Sequence, residues 1–250
     1  LIVLAHRNPD QLALLLSCLR HPSVRIYLHV DRQVTVEPFT RALAEAGLDD
    51  VVLLERHRTP WGGIGAIDAQ LEALRRGLAD ECDYFVLLSG QDFPLRPMSE
   101  IVARFADTPE RSYLHHFPLP DERWAYEGRL RTEFYTFDIL GRRATYIPPG
   151  ERDALSWKGR LLSRLLGLRG AFLPERRFPP WVQPYGGWSW WNLNREAAEY
   201  VLSFVEQHPG YYDYHRHTLS ADEIFVHSIL LGTDFPGADR IVNDDLRFFE

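Results

Sequence analysis

Short apolar runs alternate with longer segments of helical periodicity through the first hundred residues. The strand-like runs are residues 1–6, 24–31, 50–55 and 82–92, and each is rich in Val, Ile, Leu or Tyr. Between them, residues 9–21, 37–48 and 66–80 carry apolar positions at helical spacing. Strands that alternate with helices predict βαβ units around a mostly parallel sheet. We therefore predict an α/β fold whose central sheet is flanked by helices.

This rhythm breaks between residues 105 and 180, where Pro, Arg and aromatic residues are dense. We predict insertions and loops over the sheet here, because no independent periodic core is visible. A strand at 185–194, helices at 194–209 and 224–231, and a final strand at 240–249 follow. The pattern predicts a single domain over residues 1–250, with a nucleotide-binding half (1–105) and an acceptor and catalytic half (106–250). The chain starts inside a strand-like run without Met, so we expect both ends to be trimmed.

Composition narrows the class of protein. The 250 residues are 45% hydrophobic and 13% aromatic, and seven Trp suit stacking against sugars or bases. A net charge of −7 argues against nucleic-acid binding, which needs a basic surface. Two cysteines favour a reducing compartment, and no apolar run is long enough to span a bilayer. We expect a cytoplasmic protein, peripheral at the inner membrane at most.

Polar or Gly-rich segments follow each of the first four strands, where ligands of parallel sheets bind. They are "AHRN", "HVDR", "ERHRTPWGG" and "SGQDFP". Asp31 could accept a hydrogen bond from uracil or ribose, or end its strand in solvent in a local ion pair with Arg32. "PWGG", with Trp61 and Gly62, could stack on a ligand or form a turn before the next helix. We expect a nucleotide site at this edge.

Metal-binding and phosphate-binding signatures are missing from this sequence. There is no Walker loop and no G-x-G-x-x-G after a strand. No Asp-x-Asp pair occurs either, although Asp92 follows the fourth strand. We therefore expect no metal and no cofactor, and an Arg or Lys to neutralise a diphosphate.

The segment "YGGWSWWNLN" places three Trp within four residues of a predicted strand. Trp188 and Trp190 share one face at period two, and Trp191 takes the other. One face can line a sugar-binding cleft while the other packs in the core. A packed core strand alone is the alternative.

Two adjacent acids, Asp222 and Glu223, stand before an apolar helix in "TLSADEIFVHSILL". Ser220 and Glu223 match a capping box, which is the local explanation. A carboxylate flanked by apolar residues could also be partly desolvated, and its raised pKa would suit a general base. The two roles are compatible.

Seven segments together resemble one family. They are "AHRNPDQL", "YLHVDR", "PWGG", "LLSGQDFPLRP", "GGWSWWNLNREAAEYV", "LSADEIFVHSIL" and "IVNDDLRFFE", in order over nearly the whole chain. The chain resembles the core-2/I-branching β-1,6-N-acetylglucosaminyltransferases and peptide O-xylosyltransferases (glycosyltransferase family 14). Its "NDDLR" ending is nearer to the xylosyltransferases.

The resemblance implies a GT-A-type fold, a UDP-sugar donor, an acceptor glycan or polysaccharide, and inversion without a metal. Glu223 matches the general base, and Arg247 matches an arginine that contacts the diphosphate. A further basic residue of the family would lie beyond the end of this chain. Ser189 stands where xylosyltransferases have an acid, so the resemblance leaves GlcNAc and Xyl both open as the donor sugar. The donor-binding set is His6, Asp31, Arg32, Trp61, Gly62, Asp92 and Arg247, and the acceptor-binding set is Trp124, Trp188, Ser189, Trp190 and Asp222.

The function that the sequence predicts is an inverting, metal-independent glycosyltransferase. A non-catalytic carbohydrate-binding protein of the same fold is the alternative, because aromatic richness fits it equally well. A glycoside hydrolase is disfavoured, because adjacent acids on a helix diverge by about 100° and do not face each other across a bond.

Overall fold

The computed structural model describes residues 1–139, 142–147 and 173–248. In these residues seven strands form one sheet, in the order β3–β2–β1–β4–β8–β5–β9. Every pair is parallel except the two made by β8, which runs against both β4 and β5. The predicted mostly parallel sheet is therefore confirmed. The strands are β1 Ile2–Ala5, β2 Tyr27–Val30, β3 Val52–Leu53, β4 Tyr84–Ser89, β5 Ser112–Pro118, β8 Tyr185–Asn194 and β9 Ile241–Val242.

Helices cover both faces of this sheet, because side chains alternate along each strand. On β1, Ile2 packs in one buried cluster with α3, α6 and α8, and Val3 packs in a second with α1, α2 and α4. One sheet runs through both predicted halves of the chain. The helices are α1 Pro9–Cys18, α2 Glu37–Glu45, α3 Gly65–Ala79, α4 Met98–Asp107, α5 Arg129–Thr132, α6 Arg195–Gln207, α7 Pro209–His215 and α8 Phe225–Leu231.

The prediction of loops alone between residues 105 and 180 is wrong for β5. This strand lies inside the sheet, between β8 and β9, and buries Tyr113 and Leu114. Its register shifts between Leu114 and His116, so apolar and polar residues do not alternate regularly along this strand. A small hairpin, β6 Thr136–Ile139 and β7 Arg142–Thr145, also lies in this region. Residues 148–172 of the predicted insertion lie outside the described residues.

The predicted final strand is much shorter than residues 240–249. After Val242, the Asn243 side chain takes over the pairing: its Oδ1 accepts from His116 N at 2.8 Å and its Nδ2 donates to His116 O at 2.9 Å. Leu246 then adopts a left-handed conformation with φ of 57°, which turns the chain back toward the sheet. A side-chain amide therefore ends the strand.

No helix among the described residues is both long enough and apolar enough to cross a membrane.

Buried His227, on α8, makes stability depend on pH. Burial, with a smaller effect of nearby His116, lowers the pKa of this imidazole to about 3. The unfolded chain binds the proton near pH 6.5, so the folded state loses stability as the pH falls below that value. We predict that His227→Leu removes this loss. Between pH 7 and pH 5, urea unfolding should show the parent losing about 2 kcal/mol more than the variant. Equal losses in both proteins would contradict the prediction.

Candidate active site

Residues 220–224 form a tight turn in front of α8. Ser220 has a φ of 49°, residues 221–223 form one turn of 3₁₀ helix, and the α-helix begins only at Phe225. The predicted capping box is therefore wrong, since the Ser220 side chain makes no capping hydrogen bond. Its backbone N–H instead donates to Gly62 O at 3.0 Å. This contact with a distant loop overrides the local capping pattern.

The Glu223 carboxylate is partly buried in this turn, with a side-chain exposure of 22%. It is paired with the Arg131 guanidinium, which contacts it directly from α5. Burial raises the pKa of Glu223 above its ordinary value, Arg131 opposes this effect, and neighbouring Asp222 adds to it. The net direction is upward, in agreement with the predicted partial desolvation.

Asp222 lies beside Glu223 and belongs to the same polar group. Burial raises the pKa of its carboxyl group, and a hydrogen bond from Ser189 lowers it in part. Ser189 is on β8, so the structure brings together Ser189 and Asp222, which the sequence assigned to the acceptor side. The turn thus presents two carboxylates in different surroundings: one pairs with a cation and the other with a hydroxyl.

Trp124 completes this cluster, called the Glu223 cluster, which consists of Trp124, Arg131, Ser189, Asp222 and Glu223. The Arg131 guanidinium lies 3.8 Å from the centre of the Trp124 ring. The same ring packs on Gly186, where an added Cβ would lie 2.3 Å from a ring carbon. The indole can approach β8 this closely because Gly186 has no side chain.

The three Trp of β8 differ in burial. Trp191 is fully buried and its indole N–H donates to Gln70 Oε1 at 3.3 Å. Trp188 is 54% exposed, and Trp190 is partly buried with Arg247 6.0 Å from its ring centre. Trp191 therefore lies in the core, Trp190 packs against the same buried cluster, and Trp188 is the exposed ring.

Asp31, at the end of β2, is buried and accepts hydrogen bonds from within the chain. Its carboxylate accepts from Thr59 Oγ1 at 2.5 Å and from Gln33 N at 2.7 Å. Burial raises the pKa of Asp31, but these hydrogen bonds outweigh it and leave the pKa below its ordinary value. The alternative of a solvated ion pair with Arg32 is wrong, since no such pair exists among the described residues and Arg32 is exposed. His6, after β1, is exposed too.

The loop between β3 and α3 contacts the turn of residues 220–224. Trp61 is 80% exposed, as a stacking plate would be, and Gly62 has a φ of 71°. The turn that the alternative predicted is also present, because Gly63 N donates to Pro60 O at 2.8 Å. Through the bond between Gly62 and Ser220, the position of this loop fixes the position of the turn that carries Glu223.

Arg247 reaches the carboxyl end of β4, although it comes after the last strand. Its guanidinium donates to Leu87 O, and its Nε is buried without a hydrogen-bond partner among the described residues. Asn192 Nδ2 donates to Asp245 O at 3.0 Å and so fixes the segment against β8. Asp92, whose carboxylate accepts from Ser89 N at 2.8 Å, lies near enough to Arg247 to stabilise its charge. Asp92 and Arg247 therefore lie together near the carboxyl end of β4.

One group of metal-ligating side chains occurs in the part of the chain that the structure describes. Ligand atoms of Glu55, His57 and Glu72 lie within 4.8 Å of one another. Glu72 already pairs with His57 Nε2 at 2.9 Å and accepts from Glu55 N at 2.7 Å, so hydrogen bonds account for the group. Asp31, Asp92, Asp222 and Glu223 do not belong to it.

Sequence reasoning missed Arg131. It lies 92 residues before Glu223 in the chain, and the surrounding segment "DERWAYEGRLRT" holds three arginines that spacing alone does not separate. Only the tertiary structure shows which of them faces the carboxylate.

The sequence matches the family model described as core-2/I-branching enzyme over residues 1–250. The chain belongs to this family, which confirms the resemblance carried by the seven motifs.

Curated relatives carry the xylosyltransferase name. Xylosyltransferase 1 of Homo sapiens is 26% identical over 254 residues, covering 98% of this chain and 23% of that protein. Xylosyltransferase 2 of Rattus norvegicus is 26% identical over 257 residues, covering 99% and 26%. The chain therefore spans about a quarter of the length of the curated relatives it matches.

Two solved structures share low similarity with this fold. A Bacillus anthracis protein described as a glucose-1-phosphate thymidylyltransferase, in complex with sucrose, gives a TM-score of 0.33 at 13% identity and covers 80% of this chain and 73% of its own. UDP-glucose pyrophosphorylase from Leishmania major, in complex with UDP-glucose, gives 0.37 at 9% identity, covering 84% and 52%.

Arg131 should control the ionisation of Glu223. We predict that Arg131→Met raises the pKa of Glu223 further, because the favourable charge is removed while the burial remains. Carboxyl ¹³C NMR titration of labelled glutamates would measure this pKa. Arg129→Met is the matched control, since Arg129 pairs with Glu133 at 2.7 Å. A Glu223 pKa that stays the same in the Arg131 variant would show that the pair has no electrostatic role.

Proposed function

We propose that this chain is an inverting glycosyltransferase that moves a sugar, GlcNAc or Xyl, from a UDP-sugar to a hydroxyl of a glycan or polysaccharide. The observation that carries the proposal is the Glu223 carboxylate, which is partly buried and held by Arg131 on a turn bonded to the loop with Trp61. Membership of the core-2/I-branching family supports sugar transfer.

In the proposed reaction Glu223 acts as general base. Its carboxylate takes the proton of the acceptor hydroxyl while that oxygen attacks the anomeric carbon, and the bond to UDP breaks on the opposite face. The configuration at the anomeric carbon is therefore inverted. Partial burial suits this role, since a base works best when its pKa lies near the working pH. Transfer should fail as the pH falls through the raised pKa of Glu223, because the protonated carboxyl cannot accept a proton.

The departing diphosphate gains negative charge that some group must neutralise. Arg247 is a fixed cation at the carboxyl end of β4, and its buried Nε–H is a free donor among the described residues. We assign it to the diphosphate, in place of a metal ion. We assign His6, Asp31 and Trp61 to the uridine. Arg32, Gly62 and Asp92 complete the proposed donor-binding set.

We assign Trp124, Trp188 and Trp190 to the acceptor. Sugars present flat apolar faces that stack on such rings. Ser189 and Asp222, which are hydrogen-bonded to each other, supply polar contacts for hydroxyl groups beside Glu223.

A carbohydrate-binding protein without turnover is the second candidate. Its support is the exposed aromatic surface of Trp61 and Trp188. It predicts glycan binding without any effect of uridine nucleotides, whereas a transferase must bind UDP.

Glu223→Gln separates catalysis from binding. We expect transfer to fall by ~10²–10⁴-fold, because Gln can still accept a hydrogen bond from Arg131 but cannot accept a proton. Radiolabelled transfer from UDP-sugars would measure the rate, and unchanged UDP affinity would show that the site is intact. Asp222→Asn is the matched variant and should have a milder effect. Parental activity in Glu223→Gln would show that another group is the base.

Donor binding should stabilise the protein and depend on Arg247. We predict that UDP-Xyl or UDP-GlcNAc raises the melting temperature more than UDP-Glc or UDP-Gal, in thermal-shift assays without added metal and with EDTA. Arg247→Met should weaken UDP binding by roughly tenfold or more, because a hydrogen bond to a charged group contributes about 1.5–3 kcal/mol. Arg240→Met, which removes a partly buried arginine paired with Glu196, serves as control. The carbohydrate-binding alternative predicts no response to UDP in either protein.

A further inference from the structure

Arg176 is a buried cation without an anionic partner among the described residues. Only 5% of it is exposed, and burial lowers its pKa, although arginine stays protonated. Burying a charge is costly unless hydrogen bonds compensate for it. Here four acceptors do so, and all of them are neutral. They are Arg131 O at 2.8 Å, Phe134 O at 3.2 Å, Tyr214 O at 3.2 Å and the Thr218 hydroxyl at 2.5 Å.

These acceptors belong to two segments that are distant in sequence. Arg131 and Phe134 belong to the segment around α5 that presents the cation to Glu223. Tyr214 and Thr218 belong to the end of α7 and the connection that continues into the turn at Ser220. The guanidinium also stacks on the Tyr214 ring, 3.8 Å from its centre. Arg176 therefore joins the backbone that carries Arg131 to the backbone that carries Glu223.

We propose that Arg176 is a positioning residue for the reaction: it fixes the Arg131 backbone relative to the turn of residues 220–224 and so sets the contact between Arg131 and Glu223. The proposal rests on the proposed role of Glu223 as base. The guanidinium group of arginine suits this task, because it is planar and its five N–H donors bond several carbonyls in fixed directions. A lysine keeps the charge but offers one compact ammonium group, which cannot bridge both segments in the same way.

The first test compares Arg176→Lys with Arg177→Lys. Arg177 is the exposed neighbour, paired with Glu175 at 2.6 Å, and provides a matched control of the same chemistry. In Arg176→Lys we expect kcat to fall roughly 10–100-fold while the KM for the UDP-sugar stays within about twofold, since small misplacements cost this much in rate. The acid limb of the pH–rate profile should move to higher pH. An unchanged kcat and pH profile in folded Arg176→Lys would overturn the proposal.

The second test does not depend on turnover. Carboxyl ¹³C titration should show the pKa of Glu223 raised in Arg176→Lys, in the same direction as in Arg131→Met, and unchanged in Arg177→Lys. Thr218→Val removes only one of the four acceptors of Arg176 and should therefore give a smaller rise in the Glu223 pKa. This variant replaces Arg176→Lys in the test if Arg176→Lys does not fold. A pKa equal to that of the parent in the folded variants would refute the positioning role. If the Glu223 pKa rises in Arg176→Lys but the parent protein transfers no sugar, the proposed function is refuted. Arg176 would then still position the contact between Arg131 and Glu223.

Discussion

Two opposing effects act on one carboxylate, and the candidate site depends on their balance. Burial pushes the pKa of Glu223 up, while the charge of Arg131 pulls it down. A tenfold change in the acid dissociation constant corresponds to about 1.4 kcal/mol between the two protonation states. A base that is fully exposed would be weak, and one fully buried without a cation would stay protonated at neutral pH. The structure therefore has to hold an arginine at contact distance from a half-buried acid.

The direction of β8 makes this arrangement possible. This strand runs against its neighbours, so it carries Gly186 and Ser189 past the turn that holds Asp222 and Glu223. Gly186 lets Trp124 approach the strand closely, and Trp124 in turn supports the guanidinium of Arg131. Trp124, Arg131 and Glu223 thus lie next to one another beside the one antiparallel strand of the described sheet.

The sequence predicts the first four strands and three helices well, because their periodicity depends on neighbouring residues. Strand β5 escaped prediction because its partners, β8 and β9, lie far along the chain and its register shifts near His116. The capping box predicted at Ser220 is also absent, and the backbone N–H of Ser220 donates to Gly62 O instead. Among the residues of the candidate site, Glu223 is marked in the sequence by its motif. Arg131 and Arg176 are not, since no local spacing marks the arginine that faces a distant carboxylate.

The position of Arg247 along the chain has a consequence for proteolysis. The last strand of the sheet ends at Val242, and the segment that carries Arg247 is attached by side-chain contacts of Asn192 and Asn243 and by the Arg247 guanidinium itself. A protease that cleaves just after Asn243 would leave all seven strands paired and both buried clusters intact. Such cleavage would detach the guanidinium that lies near the end of β4 without breaking any strand pairing. A measurement of sheet structure alone would therefore not register the loss of Arg247.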